Sequence, residues 1–346
     1  MSAAPELLAH TEFERLVWLK DRPSGMRAVV AIHDRTLGPA RGGTRLAPYA
    51  DASAAAADAL RLAAAMTRKF AVHGLPYGGG KAVLLRDAGW DDPAIARQRL
   101  EAYGRALGEL GVDFMTGPDV GIGEAELAVL RGVCDRIAPT ADHAVASAAT
   151  AAGVRACLEE ALGGVAGARI AVQGVGATGG ALARQLAARG AELILADVDR
   201  ARAEAVALEL GATLADPDRV LEAAVDALAP CALGPLFDRA VIARLRCRVV
   251  AGSANAQLFL PAQEHAAALA ARGVIFVPGF LANGGAAVAI LQPQGNAQAT
   301  VDHAEAAVRA AYRQVAARAE GGDLWRAAEA LAGARLAAVA SPETPC

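Results

Sequence analysis

A chain of 346 residues, 54% hydrophobic and 21% charged, is too apolar to be disordered and long enough for two hydrophobic cores. A net charge of -3 argues against nucleic acid or an anionic membrane surface as the principal partner. The five cysteines (Cys134, Cys157, Cys231, Cys247, Cys346) are scattered and odd in number, with no CxxC and no Cys/His spacing that would hold a metal, so free thiols in a reducing cytoplasm are expected. Glu6, Glu12 and Glu14 stand early, no apolar segment of signal length follows, and no uncharged run is long enough for a transmembrane helix.

In chain order, residues 27–33 read as a strand of small and β-branched side chains. Residues 37–45 follow as a glycine-rich turn. Residues 52–66 read as an alanine-rich helix that Asp51 or Ser53 could cap, with Lys69 at or just past its end. Then comes Leu75-Pro76-Tyr77-Gly78-Gly79-Gly80-Lys81. Three glycines lack side chains and are entropically costly to order, so they are expected to permit close backbone approach or positive φ, placing Lys81 where turn meets strand. A lysine in a crowded, partly dry site loses its proton readily and can act as a general base; taken alone, the segment reads equally as a turn with a solvated lysine.

Residues 81–86 form a second expected strand. A helix follows over 92–110 with Pro93 in its first turn, then a strand over 114–120 whose end presents Asp119, then a helix over 124–134. Residues 139–147 lack periodicity and mark a domain boundary. Beyond a helix at 150–162, closed by Gly163 and Gly164, a strand at 169–173 runs into Gly174-Val175-Gly176-Ala177-Thr178-Gly179, a helix at 180–189 and a strand at 192–196 ending at Asp197. Strand, GxGxxG, helix, strand and acid in this order point to a dinucleotide site: the glycines let a pyrophosphate approach the helix N-terminus, and the acid accepts from the adenosine ribose. A carboxylate there repels a 2′-phosphate, which favours NAD over NADP. Strands at 225–232, 247–255 and 274–279 end in small or polar residues, where open α/β sheets bind ligands. Asn255 and Asn283 offer polar side chains there or serve simply as turn residues. Residues 304–339 read as helix, with Trp325 packing on another element or subunit, and 342–346 as a frayed tail.

Taken together, Gly38-Pro39-Ala40-Arg41-Gly42-Gly43-Thr44-Arg45, Met66-Thr67-Arg68-Lys69, Gly78-Gly79-Gly80-Lys81, Gly117-Pro118-Asp119-Val120-Gly121, the GxGxxG, Ala251-Gly252-Ser253-Ala254-Asn255 and Asn283-Gly284-Gly285 resemble the glutamate/leucine/phenylalanine/valine dehydrogenase family. The resemblance covers nearly the whole chain and is nearest to the phenylalanine and leucine branches. It implies an α/β fold of two domains: a substrate and oligomerisation domain (1–138 plus about 318–346) and a Rossmann-type NAD-binding domain (139–317). It also implies reversible oxidative deamination of an L-amino acid to a 2-keto acid and ammonia. Lys69 would hold the substrate carboxylate. Lys81, with a depressed pKa, would activate water, and Asp119 would bind the amino group and shuttle protons. Gly43, Arg41, Pro118 and Asn283 would complete the substrate site. Gly174, Gly176, Ala177, Thr178, Gly179, Asp197, Thr150, Cys231, Ala232, Ala254 and Asn255 would hold the cofactor, with no metal. A homo-oligomer, dimer or larger, is the implied assembly.

Three positions depart from the family pattern. Arg41 stands where the apolar branches carry a small or apolar residue and the glutamate branch a lysine for a side-chain carboxylate. It therefore allows an acidic or polar substrate, whereas Ile290 and its apolar neighbours favour an apolar or aromatic one. Ala256 replaces a frequent asparagine, and Gly279 a frequent aspartate. A scaffold that binds NAD without turnover is the alternative of another class; the intact Lys69, Lys81 and Asp119 set argues against it.

Overall fold

The computed structural model describes residues 13–138 and 142–340. Glu6, Glu12, residues 139–141 of the expected connection, and the tail with Cys346 lie outside them. Two compact units divide the chain: one holds the described residues through 138 and again from Arg335, the other runs from 142 to 334.

The first unit is built on a five-stranded sheet of order β1-β2-β4-β3-β5. Its strands are β1 (Arg15–Asp21), β2 (Met26–Asp34), β3 (Ala40–Ala47), β4 (Gly78–Leu85) and β5 (Phe114–Gly117). The β1, β2 and β4 pairings are antiparallel, and β4, β3 and β5 are parallel. Alternation along the strands gives the sheet two buried faces. Val30, Ile32, Ala82 and Leu84 pack with Tyr103 and Leu107 of α2 (Pro93–Gly108) and Leu127 and Leu130 of α3 (Glu124–Arg131). Val29, Ala31, Val83 and Leu85 pack against Ala55, Ala59, Leu60 and Ala63 of α1 (Ala52–Val72). Asp51, not Ser53, caps α1, accepting from Ala54 N–H at 2.8 Å. That helix continues past residue 66 to Val72, so Lys69 belongs to its last turn. At its end Arg335 donates to the carbonyls of Ala71 and Val72, both at 2.6 Å.

Two segments expected as turns are strands. Residues 40–47 form β3 and Gly78–Gly80 open β4. The glycines serve close approach, not left-handed geometry, for none of Gly78, Gly79 and Gly80 has positive φ. A Cβ on Gly79 would stand 2.2 Å from Thr67 Oγ1 and 2.4 Å from Ala63 O, so α1 rests directly on the strand. β1 (RLVWLKD) is a strand that the sequence reading does not include.

The second unit has a six-stranded, wholly parallel sheet of order β11-β10-β9-β6-β7-β8. The strands are β6 (Arg169–Gln173), β7 (Glu192–Ala196), β8 (Thr213–Leu214), β9 (Ala227–Pro230), β10 (Val249–Val250) and β11 (Ile275–Phe276). This is the doubly wound order of dinucleotide-binding sheets, with its switch point between β6 and β9. Helix α4 (His143–Leu162) begins seven residues before the expected Thr150, because Asp142 caps it by accepting from Ala144 N–H at 2.7 Å. Then come α5 (Ala177–Ala187), α6 (Arg200–Leu210), α7 (Arg239–Arg244), α8 (Ala262–Ala271), α9 (Gly279–Ala282) and α10 (Gly285–Leu291). The C-terminal helix is two helices, α11 (Ala297–Ala316) and α12 (Leu324–Ala340). They part where Gly321 and Gly322 take φ of 59° and 79°, which glycine alone adopts freely. Trp325 packs on Phe276 and Phe280 within this unit.

Candidate active site

In the first unit, β3 and β4 aim one face at α1. Alternation places Arg41, Gly43 and Arg45 of β3 and Gly79, Lys81 and Val83 of β4 on that face, with Arg41 paired to Gly79 and Arg45 to Val83. Past the end of β5, the turn 119–122 closes with Asp119 N–H on Ile122 O and Ile122 N–H on Asp119 O. Gly121 takes φ of 75° there, and a Cβ on it would stand 2.4 Å from Leu46 O. The turn thus lies against the end of β3, where Leu46 N–H of the strand donates to Val120 O of the turn at 2.8 Å.

This geometry presses Lys81 Nζ against Asp119 Oδ2 as an ion pair, with both side chains about nine-tenths buried. Asp119 Oδ1 accepts from Val120 N–H at 2.7 Å. Burial alone would raise the Asp119 pKa; the charges of Lys81 and then Arg45 outweigh it and hold the carboxyl down at about 2. From α1, Lys69 feels both partners. Burial pulls its ammonium down to about 8, the charge of Lys81 adds to the pull, and Asp119 opposes it. Gly43 abuts the same turn: a Cβ on it would stand 2.4 Å from Pro118 O. Arg41 lies over the Tyr77 ring at 4.4 Å, with Nε and one terminal nitrogen buried and without hydrogen bonds. The structure therefore brings Lys69, Lys81, Asp119, Gly43 and Pro118 together and turns Arg41 onto Tyr77.

Sequence reasoning gives no role to Arg45 and Thr67, although both lie within the motifs it names, and does not single out Asp58 or His33. His33 Nδ1 and Thr67 Oγ1 share a hydrogen bond at 2.9 Å two residues before Lys69. A strand reading of residues 40–47 would have exposed Arg45 as a same-face neighbour of Arg41 and Gly43.

In the second unit the glycine-rich loop leaves β6 at the switch point. Gly174 takes φ of 87°, and a Cβ on it would stand 2.7 Å from Ala232 N. A Cβ on Gly179 would meet Gly174 O at 1.9 Å and the Cys231 side chain at 3.0 Å. Gly176, by contrast, has nothing within 4 Å of a built Cβ, and it starts α5 without a side-chain cap. A tight turn, an open backbone and a helix N-terminus with uncapped N–H groups fit a pyrophosphate. The following loops stack in register with this cradle. Ala254 N–H binds Pro230 O at 3.0 Å, and Asn283 Nδ2 donates to Asn255 Oδ1 at 2.8 Å and Ser253 O at 3.1 Å. Asn283 Oδ1 stays buried without a partner, an acceptor open to a ligand N–H. Thr150 Oγ1 donates to Ala146 O at 2.9 Å within α4, leaving its lone pairs to accept.

Asp197 is more occupied than expected. Its carboxylate accepts from Val175 N–H (2.8 Å), Asp199 N–H (2.9 Å) and the Arg202 guanidinium (2.7 and 3.3 Å). The departures have local reasons. A Cβ on Gly279 would stand 2.7 Å from Ala254 O, so an aspartate has no room. Ala256 takes φ of 50°, a region asparagine tolerates better. Among the described residues Cys134, Cys157, Cys231 and Cys247 are free thiols, no cluster of His, Cys, Asp and Glu is arranged for a metal, and no helix is long and apolar enough to cross a membrane.

A parallel doubly wound sheet whose glycine-rich loop fits a pyrophosphate, in one chain with an α/β unit carrying two lysines and an aspartate, is the architecture of a dinucleotide-binding class and is consistent with a nicotinamide-linked oxidoreductase. Comparison with known proteins makes the class specific. Residues 14–136 match the family model described as Glu/Leu/Phe/Val dehydrogenase, dimerisation domain, and residues 194–340 match that described as Glutamate/Leucine/Phenylalanine/Valine dehydrogenase. Leucine dehydrogenase of Thermoactinomyces intermedius is 35% identical over 80% of this chain and 77% of that enzyme. Valine dehydrogenase of Streptomyces albus is 34% identical over 84% of each. The crystal structure of L-tryptophan dehydrogenase from Nostoc punctiforme superposes with a TM-score of 0.78 at 30% identity, over 97% of this chain and 99% of that one. The chain belongs to the Glu/Leu/Phe/Val dehydrogenase family and is an amino-acid dehydrogenase.

Proposed function

We propose that the protein oxidatively deaminates an L-amino acid with an apolar or aromatic side chain, reversibly, using NAD, to give the 2-keto acid and ammonia. The observation that carries this reading is the meeting of Lys69, Lys81 and Asp119 on one face of the first sheet. The named activities of the relatives, on leucine, valine and tryptophan, support the substrate class. Lys69, as an ammonium, binds the substrate carboxylate, and binding an anion restores the charge that burial disfavours. Asp119 is ionised at any working pH, so it selects the cationic amine and can relay, without keeping, the proton that amine gives up. A nicotinamide held by this unit would supply the acceptor for the hydride that leaves the substrate Cα. Lys81, ion-paired with Asp119, would act once it has released its own proton to solvent: as the neutral amine it would take a proton from water as that water adds to the resulting imine, and the carbinolamine would then release ammonia. The Gly174–Gly179 loop would hold the pyrophosphate, and Asn283 and Thr150 offer polar partners for a carboxamide. We place the protein in amino-acid metabolism in the cytoplasm, as a homo-oligomer formed through the unit that matches a dimerisation domain.

The test is NADH formation with a panel of L-amino acids at alkaline pH, together with Lys81→Ala. Turnover on apolar or aromatic members, lost in the variant while calorimetry still shows NAD binding, is the expected result. NAD binding with silence across the panel would instead support a sensor that kept the fold and lost the chemistry.

A further inference from the structure

The proposed reaction gives Arg45, on the same face as Lys81, no role, yet Arg45 belongs to a chain of charges leading out of the site. Arg45 Nε lies 3.5 Å from Asp119 Oδ2, the oxygen that Lys81 also touches. Its NH1 donates to Asp58 Oδ2 on α1 at 2.9 Å. Tyr49 donates to the same oxygen at 2.7 Å, and Arg61 binds the other oxygen of Asp58. Arg45 and Asp58 are each 15% exposed, so water screens these contacts weakly.

The division of labour can be read from the bonds. The backbone of the 119–122 turn is fixed by its own hydrogen bonds, by Gly121 against Leu46 and by Leu46 N–H on Val120 O. The direction of the Asp119 carboxylate is set separately, and among the described residues it is Val120 N–H, Lys81 and Arg45 that hold it. Lys81 has to exchange its proton during the proposed reaction, so its charge is not constant. Arg45 cannot release a proton in a protein, so its charge is. At 3.5 Å, with Nε making no hydrogen bond, the contact is Coulombic and leaves a lone pair of Oδ2 for a substrate amine.

We propose that Arg45 is a positioning residue for Asp119: a permanent cation, anchored on its far side by Asp58, Tyr49 and Arg61, that keeps the Asp119 carboxylate aimed while the charge of Lys81 changes. This rests on the reading of Asp119 as the group that receives the amine. The charged groups facing Asp119 are Lys81 from β4, Arg45 from β3 and, at longer range, Lys69 from α1. Removing Arg45 subtracts one fixed positive charge from that set, so its neighbours titrate higher; because Asp119 stays ionised across the working range, the acid-side limb of the kcat profile reports a lysine of the set and must move up.

The experiment compares the intact wild-type protein with Arg45→Met, Arg45→Lys, Asp58→Asn and Asp119→Asn, on the best substrate of the amino-acid panel, over the full pH range. In Arg45→Met, kcat falls about tenfold with KM within threefold, and the acid limb rises by about one pH unit. Arg45→Lys brings the limb back toward wild type because it restores the charge. Asp58→Asn moves it the same way as Arg45→Met but less. An acid limb that stays put in folded Arg45→Met, or a loss confined to KM, overturns the proposal. Should Arg45→Met fail to fold, an unmoved limb in Asp58→Asn together with a shifted one in Arg45→Lys overturns it equally. If Asp119→Asn keeps wild-type turnover, the reading of Asp119 itself fails, an outcome distinct from the failure of Arg45.

Discussion

Gly43 and Asp119 stand so close that a Cβ on the glycine would lie 3.0 Å from the Cβ of the aspartate and 2.4 Å from the carbonyl oxygen of Pro118. The gap exists because β3 pairs with β5 right up to Gly43 opposite Gly117, which brings the following turn over the strand. Gly43→Ala should therefore push Asp119 away from Lys81 without touching any titratable group. We expect kcat to fall by about a hundredfold, the typical penalty for displacing reacting groups by about 1 Å, with NAD binding unchanged. Steady-state kinetics and calorimetry on the same preparation check this, and an active alanine variant would mean that the turn can yield.

The same glycines explain what was legible in the sequence. Gly174 to Gly179 could be read because their context is local: a strand, the loop, a helix and an acid lie within about two dozen residues. Lys69, Lys81 and Asp119 were found through motif order. The strand identity of residues 40–47 and 78–80 was hidden because glycine is depleted from strands; here it is required by neighbours remote in sequence, Thr67, Phe114, Gly80 and Pro118, that pack where a side chain would be. Missing β3 meant missing Arg45. That Asp197 is engaged by Arg202 depends on α6 turning its first residues back to β7, which spacing alone does not reveal.

The Lys69 ammonium carries a stability penalty that substrate binding relieves. A solvated lysine titrates near 10.5 and Lys69 near 8, so the folded protein gives up this proton first. Between those values the unfolded chain binds more protons and stability rises with pH; below about 8 both states are charged and the penalty is present in full. Lys69→Met should then be more stable than wild type at pH 7, by on the order of 1–2 kcal/mol once solvent around the half-buried side chain is discounted. The advantage should fade by about pH 10 as Lys69 itself becomes neutral. Thermal melts at pH 7, 8.5 and 10 measure this, and an advantage that grows with pH would contradict it. Turnover should be lost throughout.

Arg202 bears on which nicotinamide dinucleotide is taken. It fills two acceptor positions of Asp197, and backbone N–H groups fill two more, so a ribose diol must displace it while a 2′-phosphate would find a cation already there. NAD preference in the wild type should thus be modest. Arg202→Ala should leave Asp197 open to the diol and raise the ratio of the NADP to the NAD dissociation constant about tenfold. Calorimetric titration of both dinucleotides decides it, and an unchanged ratio would show that Arg202 takes no part.

Arg41 is the residue on which an acidic substrate would depend. Its unbonded Nε and terminal nitrogen argue for a missing partner, whereas its guanidinium lies over Tyr77 at 4.4 Å, a stacked seat that holds a cation without any substrate. The stack is the stronger constraint, because the ring and the strand that carries Arg41 are both fixed by β4 and its flanking turn. Arg41→Leu should accordingly leave the order of preference among apolar and aromatic amino acids unchanged and lower stability by about 0.5–1 kcal/mol through loss of the cation–π contact. If instead the wild type oxidises glutamate and Arg41→Leu does not, the guanidinium swings off Tyr77 to meet a carboxylate, and the substrate is acidic. The paired readout, kcat/KM across the panel and melting temperature, separates a structural arginine from a substrate-binding one, since only the second changes the ranking.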